Sequence, residues 1–208
     1  MTFGLVKHNN NSISAITSAG QLAQGKMTFI KEQTASSSAS IEFVHGSSSV
    51  VFDNTYPIYL FKYFNMHPAS GSTFSFLGST NSGSGYGVTK TSSSFYGTHK
   101  EDGSTDGVAY NVYQDLAQST SRQGLIGTLS TDSDSGASGE LYIFDPSNTN
   151  HVKHYISTAS GAITGSQSTV SYTAGYFNTT SAVDAIKFEM SSGNIDSGTI
   201  KLYGIKGS

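Results

Sequence analysis

Apolar and polar positions change places at almost every residue of this chain, and runs with a helical period are scarce. "KMTFIKEQ" sets Met27, Phe29 and Lys31 against Thr28, Ile30 and Glu32, leaving an apolar residue on each side. "SIEFVHG" reads as the next strand, after a loop "TASSSAS". "YPIYLFKYFNMHP", residues 56–68, is the most apolar stretch. Pro57 belongs near its start, where a missing N–H is tolerated. Its apolar residues occupy both parities. That predicts a strand covered on both faces, by a sandwich core on one side and by a loop or a second subunit on the other. "STFSFLGS" then places Phe74 and Phe76 on one face.

Residues 79–107 are rich in glycine and serine and read as a long irregular excursion, with Tyr86, Val88, Phe95 and Tyr96 anchoring it through short strands. "VAYNVYQDL" puts Val108, Tyr110 and Val112 on one parity. "DLAQSTSRQ", residues 115–123, is the best helical candidate, one or two turns ending at Gly124. "SAITSAGQLAQG" is a weaker one, opposed by its glycines. "LIGTLSTD" and "SGELYIFDPSN" flank a polar turn and predict a hairpin, with Leu141 and Ile143 opposite Tyr142 and Phe144, and Pro146 stopping the second strand. "HVKHYISTASGAI" and "STVSYTAGYF" add two strands. "SAVDAIKFEM" sets Ile186, Phe188 and Met190 against Ala185, Lys187 and Glu189. "GTIKLYGI" sets Ile200, Leu202 and Gly204 against Lys201, Tyr203 and Ile205, and "SSGNIDSG" joins the two as a closing hairpin.

About ten to fourteen short strands with glycine turns predict an all-β, jelly-roll-like β-sandwich. A β-helix would show a fixed period, and none is found. The expected organisation is an N-terminal arm or edge element over 1–25 and a single β-sandwich domain over 26–208.

Composition narrows the function. Only 12 % of the 208 residues are charged, against twelve Tyr, twelve Phe and a net charge of −3. Aromatic content on this scale argues against disorder. Lysines stand singly, so no nucleic-acid surface is expected. No apolar run reaches the length of a membrane span, and "MTFGLVKHNNN" lacks the apolar core of a signal peptide. There is no cysteine, hence no disulfide and no thiolate metal site.

Candidate chemistry is thin. Asp132 and Asp134 in "DSDSG" do not complete an EF-hand, because Ala137 and Ile143 fall where ligands are wanted. "EDGSTDG" reads as a polar turn in the same way. His151 and His154 fall on opposite sides of a strand, and His67 in "NMHP" suits a bond to a loop carbonyl. "GSGYG" lacks the helix and lysine of a phosphate loop. Asn10 and Asn178 head glycosylation sequons, relevant to a secreted chain. No catalytic residue, cofactor or metal is expected. The carboxylate pair of a glycoside hydrolase is a matter of spacing in the fold. Exposed aromatics can stack on sugars, and Tyr86, Phe95, Tyr96 and Tyr110 are the candidate glycan or partner contacts.

"YPIYLFKYFNMHPAS", "GELYIFDP", "HVKHYIS" and "AIKFEMSSGNIDSGTIKLYGIK" together resemble a group of small β-sandwich structural proteins of tailed bacteriophages, common among phages of marine bacteria. The resemblance spans about residues 41–206 and is most specific in "GNIDSGTIKLYGIK". It implies a non-enzymatic virion protein that decorates the capsid or forms part of a head or tail appendage. Its implied partners are other virion proteins and copies of itself, a trimer for example. Gly198 and Gly204 match the group's glycines, implying turn and close-packing roles. The pattern carries no active site. The chain lacks the long shaft of a complete fibre, so a compact module is expected. The alternative is a carbohydrate-binding, host-recognition module of a tail fibre or spike.

Overall fold

Thirteen strands make up residues 27–206, the part of the chain that the computed structural model describes. The expected arm over 1–25 and the stretch "SAITSAGQLAQG" lie outside those residues. In chain order the strands are β1 (Met27–Ser38), β2 (Ile41–Val44), β3 (Ile58–Pro68), β4 (Thr73–Ser79), β5 (Lys90–Lys100), β6 (Asp106–Tyr110), β7 (Leu116–Ser119), β8 (Gln123–Thr128), β9 (Ala137–Phe144), β10 (Lys153–Ile163), β11 (Gln167–Phe177), β12 (Ala185–Met190) and β13 (Ile195–Ile205).

They form two antiparallel sheets packed face to face. The larger runs β1-β13-β3-β9-β10-β11-β5-β6, with β7 also paired to β5, and the smaller runs β2-β12-β4-β8. In an eight-stranded jelly roll one sheet takes the first, eighth, third and sixth strands, and the other the second, seventh, fourth and fifth. The small sheet follows the first order. The large sheet follows the second, with the β9-β10-β11 meander in place of one strand and β13 and β1 added beside β3.

Alternation gives the inward faces. Phe43, Phe61, Phe74 and Phe188 are fully buried between the sheets. Their rings meet at 5.2 Å (Phe43–Phe61 and Phe61–Phe188) and 5.8 Å (Phe74–Phe188). Truncating any one to alanine would cost roughly 3–5 kcal/mol. A bulge in β3 between Tyr63 and Met66 turns both residues inward. The bulge accounts for Met66 among the even-numbered apolar residues of that strand, whereas Ile58, Leu60 and Phe64 lie on the outer side of the sheet. Opposite the bulge, Gly198 has φ 128°, and a Cβ there would lie 2.7 Å from Met66 Sδ. Gly204 lies against the Tyr56 ring. Both glycines thus serve close approach, Gly198 at a strand irregularity rather than a turn.

Several expectations are corrected. Residues 115–123 hold no helix. They form β7 and the start of β8, because Ser92 and Thr91 on β5 satisfy the backbone N–H groups of Leu116 and Gln118. "TASSSAS" continues β1 as far as Ser38. The irregular excursion contains the eleven-residue strand β5. β8 and β9 are not a hairpin, nor are β12 and β13. In each pair the chain crosses from the small sheet to the large one, so that apolar residues of both strands face the same core.

Candidate functional site

The outer side of the large sheet is not polar. In register across the strands, one row reads Phe29, Tyr203, Leu60, Tyr142, Ile156 and Ala174. The next, two residues along (three in β1, across its register shift), reads Glu32, Lys201, Lys62, Glu140, Thr158, Tyr172, Phe95 and Tyr110. Beyond these rows lie Met27, Ile205 and Ile58 at one end, and Phe64, Val170 and Val108 at the other. Every exposed large apolar or aromatic side chain among the described residues lies on this side, apart from Val112 and Tyr113. Val108 is 78 % exposed. Leu60 is only 2 % exposed, flanked by Tyr142 and Tyr203. The second cover expected for β3 is therefore its own neighbours' rings at Leu60, while Phe64 lies open.

Both lysines on this face are paired with glutamates, while Asp106 and Asp115 at its β6 end have no cationic partner among the described residues. Lys201 Nζ lies 2.9 Å from Glu32 Oε2, and Lys62 Nζ 3.7 Å from Glu140 Oε2. Phe95 stacks on Tyr172 with ring centroids 4.9 Å apart. Tyr110, the neighbour of Phe95 on β6, donates its hydroxyl to Asp115 Oδ2 at 3.0 Å, which raises its pKa. An antiparallel sheet with a free side normally presents polar residues there. A broad apolar face whose lysines are paired matches the centre of a protein interface, where lone charges are depleted.

Of the four residues singled out from the sequence, Phe95 and Tyr110 meet on this face. Tyr86 is elsewhere, on the outer side of the small sheet. Its hydroxyl donates to Glu42 Oε2 at 3.0 Å and Lys187 Nζ lies 4.9 Å from its ring centre. Burial, and after it Glu42, pushes its phenol above the ordinary range. Tyr96 follows Phe95 on β5 and points to the opposite side. Tyr172 was not singled out, although it completes the stack. Its only signal is its alternation with Val170 and Ala174.

Tyr96 opens onto a cleft of about 380 Å³ on the inner side of the large sheet. The small sheet is narrower, and its edge strand β8 reaches only over β10 and β11. The inner side of β5 and the adjoining part of β11 therefore have little apolar cover. They carry hydroxyls instead, with Ser94 beside Thr173, Tyr96 beside Ser171 and Thr98 beside Thr169. The turn Asn111–Gln114 closes the cleft, held by Asn111 N–H donating to Ser94 O at 2.8 Å and by Gln123 Nε2 donating to Gln114 O at 2.6 Å.

Two lysines are buried, each in register with Phe177. Lys90 Nζ donates to Val88 O at 3.0 Å, and burial pushes its pKa down to about 8. Lys153 Nζ donates to His151 O at 2.9 Å and Thr179 O at 3.2 Å, and burial lowers its pKa against the opposing pull of Asp145. A depressed lysine is the form used as a nucleophile, yet Lys90 is fully enclosed and bound to a carbonyl. His67 Nε2 lies 3.2 Å from Asp132 O, the loop-carbonyl contact read from the sequence. Among the described residues no three His, Asp or Glu side chains converge as metal ligands do.

No family model, curated protein or solved structure matches the chain. The fold and the two surfaces are the ground for a functional reading, and the phage resemblance stands on its quoted motifs alone.

Proposed function

We propose that the protein is a non-enzymatic assembly module, and that its setting is the one the sequence resemblance implies, a tailed-phage virion. The observation that carries this reading is the largely apolar outer face, whose two lysines are each paired with a glutamate. Eight strands about 4.8 Å apart and four rows of side chains give a face of roughly 34 by 25 Å. That is on the order of 800 Å², the area each partner contributes to a standard interface. The favoured occupant is a second copy of the chain. Two sheets of equal twist pack aligned, and such a contact is isologous and pairs copies. A trimer would need a second, different patch.

Sedimentation of the wild-type protein and of Ile156→Lys tests this. Ile156 is half-exposed at the middle of the face, so a lysine there leaves the core intact. The wild type is expected to associate at micromolar concentrations. The variant is expected to be monomeric with an unchanged melting temperature. A wild type that stays monomeric at all concentrations, or a variant that associates equally well, overturns the assembly reading. Mass spectrometry of purified phage particles tests the virion setting separately.

A further inference from the structure

The geometry points to a second site: the cleft beneath the overhang of β5 and β11 binds a neutral oligosaccharide. None of its lining residues carries a charge. Two of them hold polar atoms that the fold leaves without partners. Gln114 is 5 % exposed and Ser171 is 1 % exposed, and neither Gln114 Oε1 nor Ser171 Oγ has a hydrogen-bond partner. Leaving such atoms unmet costs about 1–3 kcal/mol each, and groups of this kind mark ligand sites or ordered water. The volume of about 380 Å³ lies within the range of small-molecule sites, well above the roughly 30 Å³ of a single water.

The chemistry of the walls selects the ligand. A carbonyl oxygen and a hydroxyl at the base accept, or accept and donate, as sugar hydroxyls require. Thr98 and Thr169 add hydroxyls already linked to each other at 3.2 Å. With no cation in the lining, a carboxylated or sulfated sugar has no partner. Tyr113 stands at the rim 94 % exposed, a ring free to stack on the apolar face of a pyranose. It and Val112 are the two exposed apolar side chains absent from the outer face. Gln114 is positioned by Gly124, where a Cβ would lie 2.8 Å from Gln114 Cγ. The cleft opens on the side of β5 opposite the assembly face, so this site does not depend on the self-association proposed above.

The test is a printed array of neutral and acidic oligosaccharides, then titration calorimetry with the strongest neutral hit, on wild type, Tyr113→Ala and Ser171→Ala. Tyr113 is solvent-exposed and Ser171 Oγ is unpartnered, so both variants are expected to fold with stability unchanged or slightly raised. The expected result is a neutral hit whose affinity falls at least about tenfold in each variant, the size of effect that loss of one hydrogen bond or one stacking contact produces. A purely structural role for Ser171 would leave binding untouched. The absence of any neutral hit, selective binding of acidic glycans, or full affinity in both variants overturns the site.

Discussion

At the residue scale, Lys90 ties the fold to pH. Its unfolded pKa is 10.5 and its folded value is about 8. Below pH 8 the lysine is charged in both states, and the folded state bears the whole cost of burying it. Between pH 8 and 10.5 the folded state gives up the proton first, so the unfolded state binds more protons and stability rises. The rise is bounded by roughly 3 kcal/mol. Tyrosine acts the other way at higher pH. Burial pushes Tyr59 up to about 12, and raises Tyr63 and Tyr155 as well. Above about pH 10 the unfolded chain loses its phenolic protons first, and stability falls. Urea midpoints measured from pH 7 to 11 should therefore peak near pH 10. Lys90→Met should raise the midpoint at pH 7 and flatten the climb. An unchanged climb in that variant would show that Lys90 is not its source. Little of this is legible in the sequence, where Lys90 follows Thr89 in a polar stretch. Gln114 and Ser171 were equally silent, because a small polar residue looks the same in a turn and in a cleft.

At the element scale, alternation told which side of a strand faces inward, and it held for β9, β12 and β13. It did not tell which strands are neighbours. Nearness in sequence suggested that β12 pairs with β13, and β8 with β9, but at both of these steps the jelly-roll order sends the chain to the opposite sheet. β13 lies between β1 and β3, so the closing segment is an interior strand rather than half of a terminal hairpin. Ending the chain at Asn194 would remove Ile195, Ile200 and Leu202, all fully buried. At roughly 2–5 kcal/mol each, their loss alone reaches the whole stability of a typical domain. The truncated chain is expected to lack a cooperative thermal transition by circular dichroism. A sharp transition would mean that β1 can close onto β3 directly.

At the scale of the whole molecule, the unequal width of the sheets was invisible in the sequence, since it depends on how many strands each sheet recruits. The outer face was half legible. The doubly apolar β3 announced a second apolar side, and Phe95 and Tyr110 were singled out, but not that one surface gathers them with Phe29, Ile156 and Tyr172. Because both lysines of this face are paired with glutamates within the chain, association through it should vary little with sodium chloride and tighten in sulfate, as apolar burial does. Sedimentation at several salt concentrations checks this, and a steep loss of association with salt would point to charged contacts instead.

Phe95 and Tyr96, adjacent and opposed, have a consequence for how such a gene can vary. Within β5 the odd and even codons describe different surfaces, the outer face proposed for assembly and the wall of the cleft. A point change edits one message and spares the other. The gain or loss of a single codon swaps the two along the rest of the strand. Related genes should therefore diverge here by substitution alone, and keep their length changes to the flanking turns at 80–89 and 101–105.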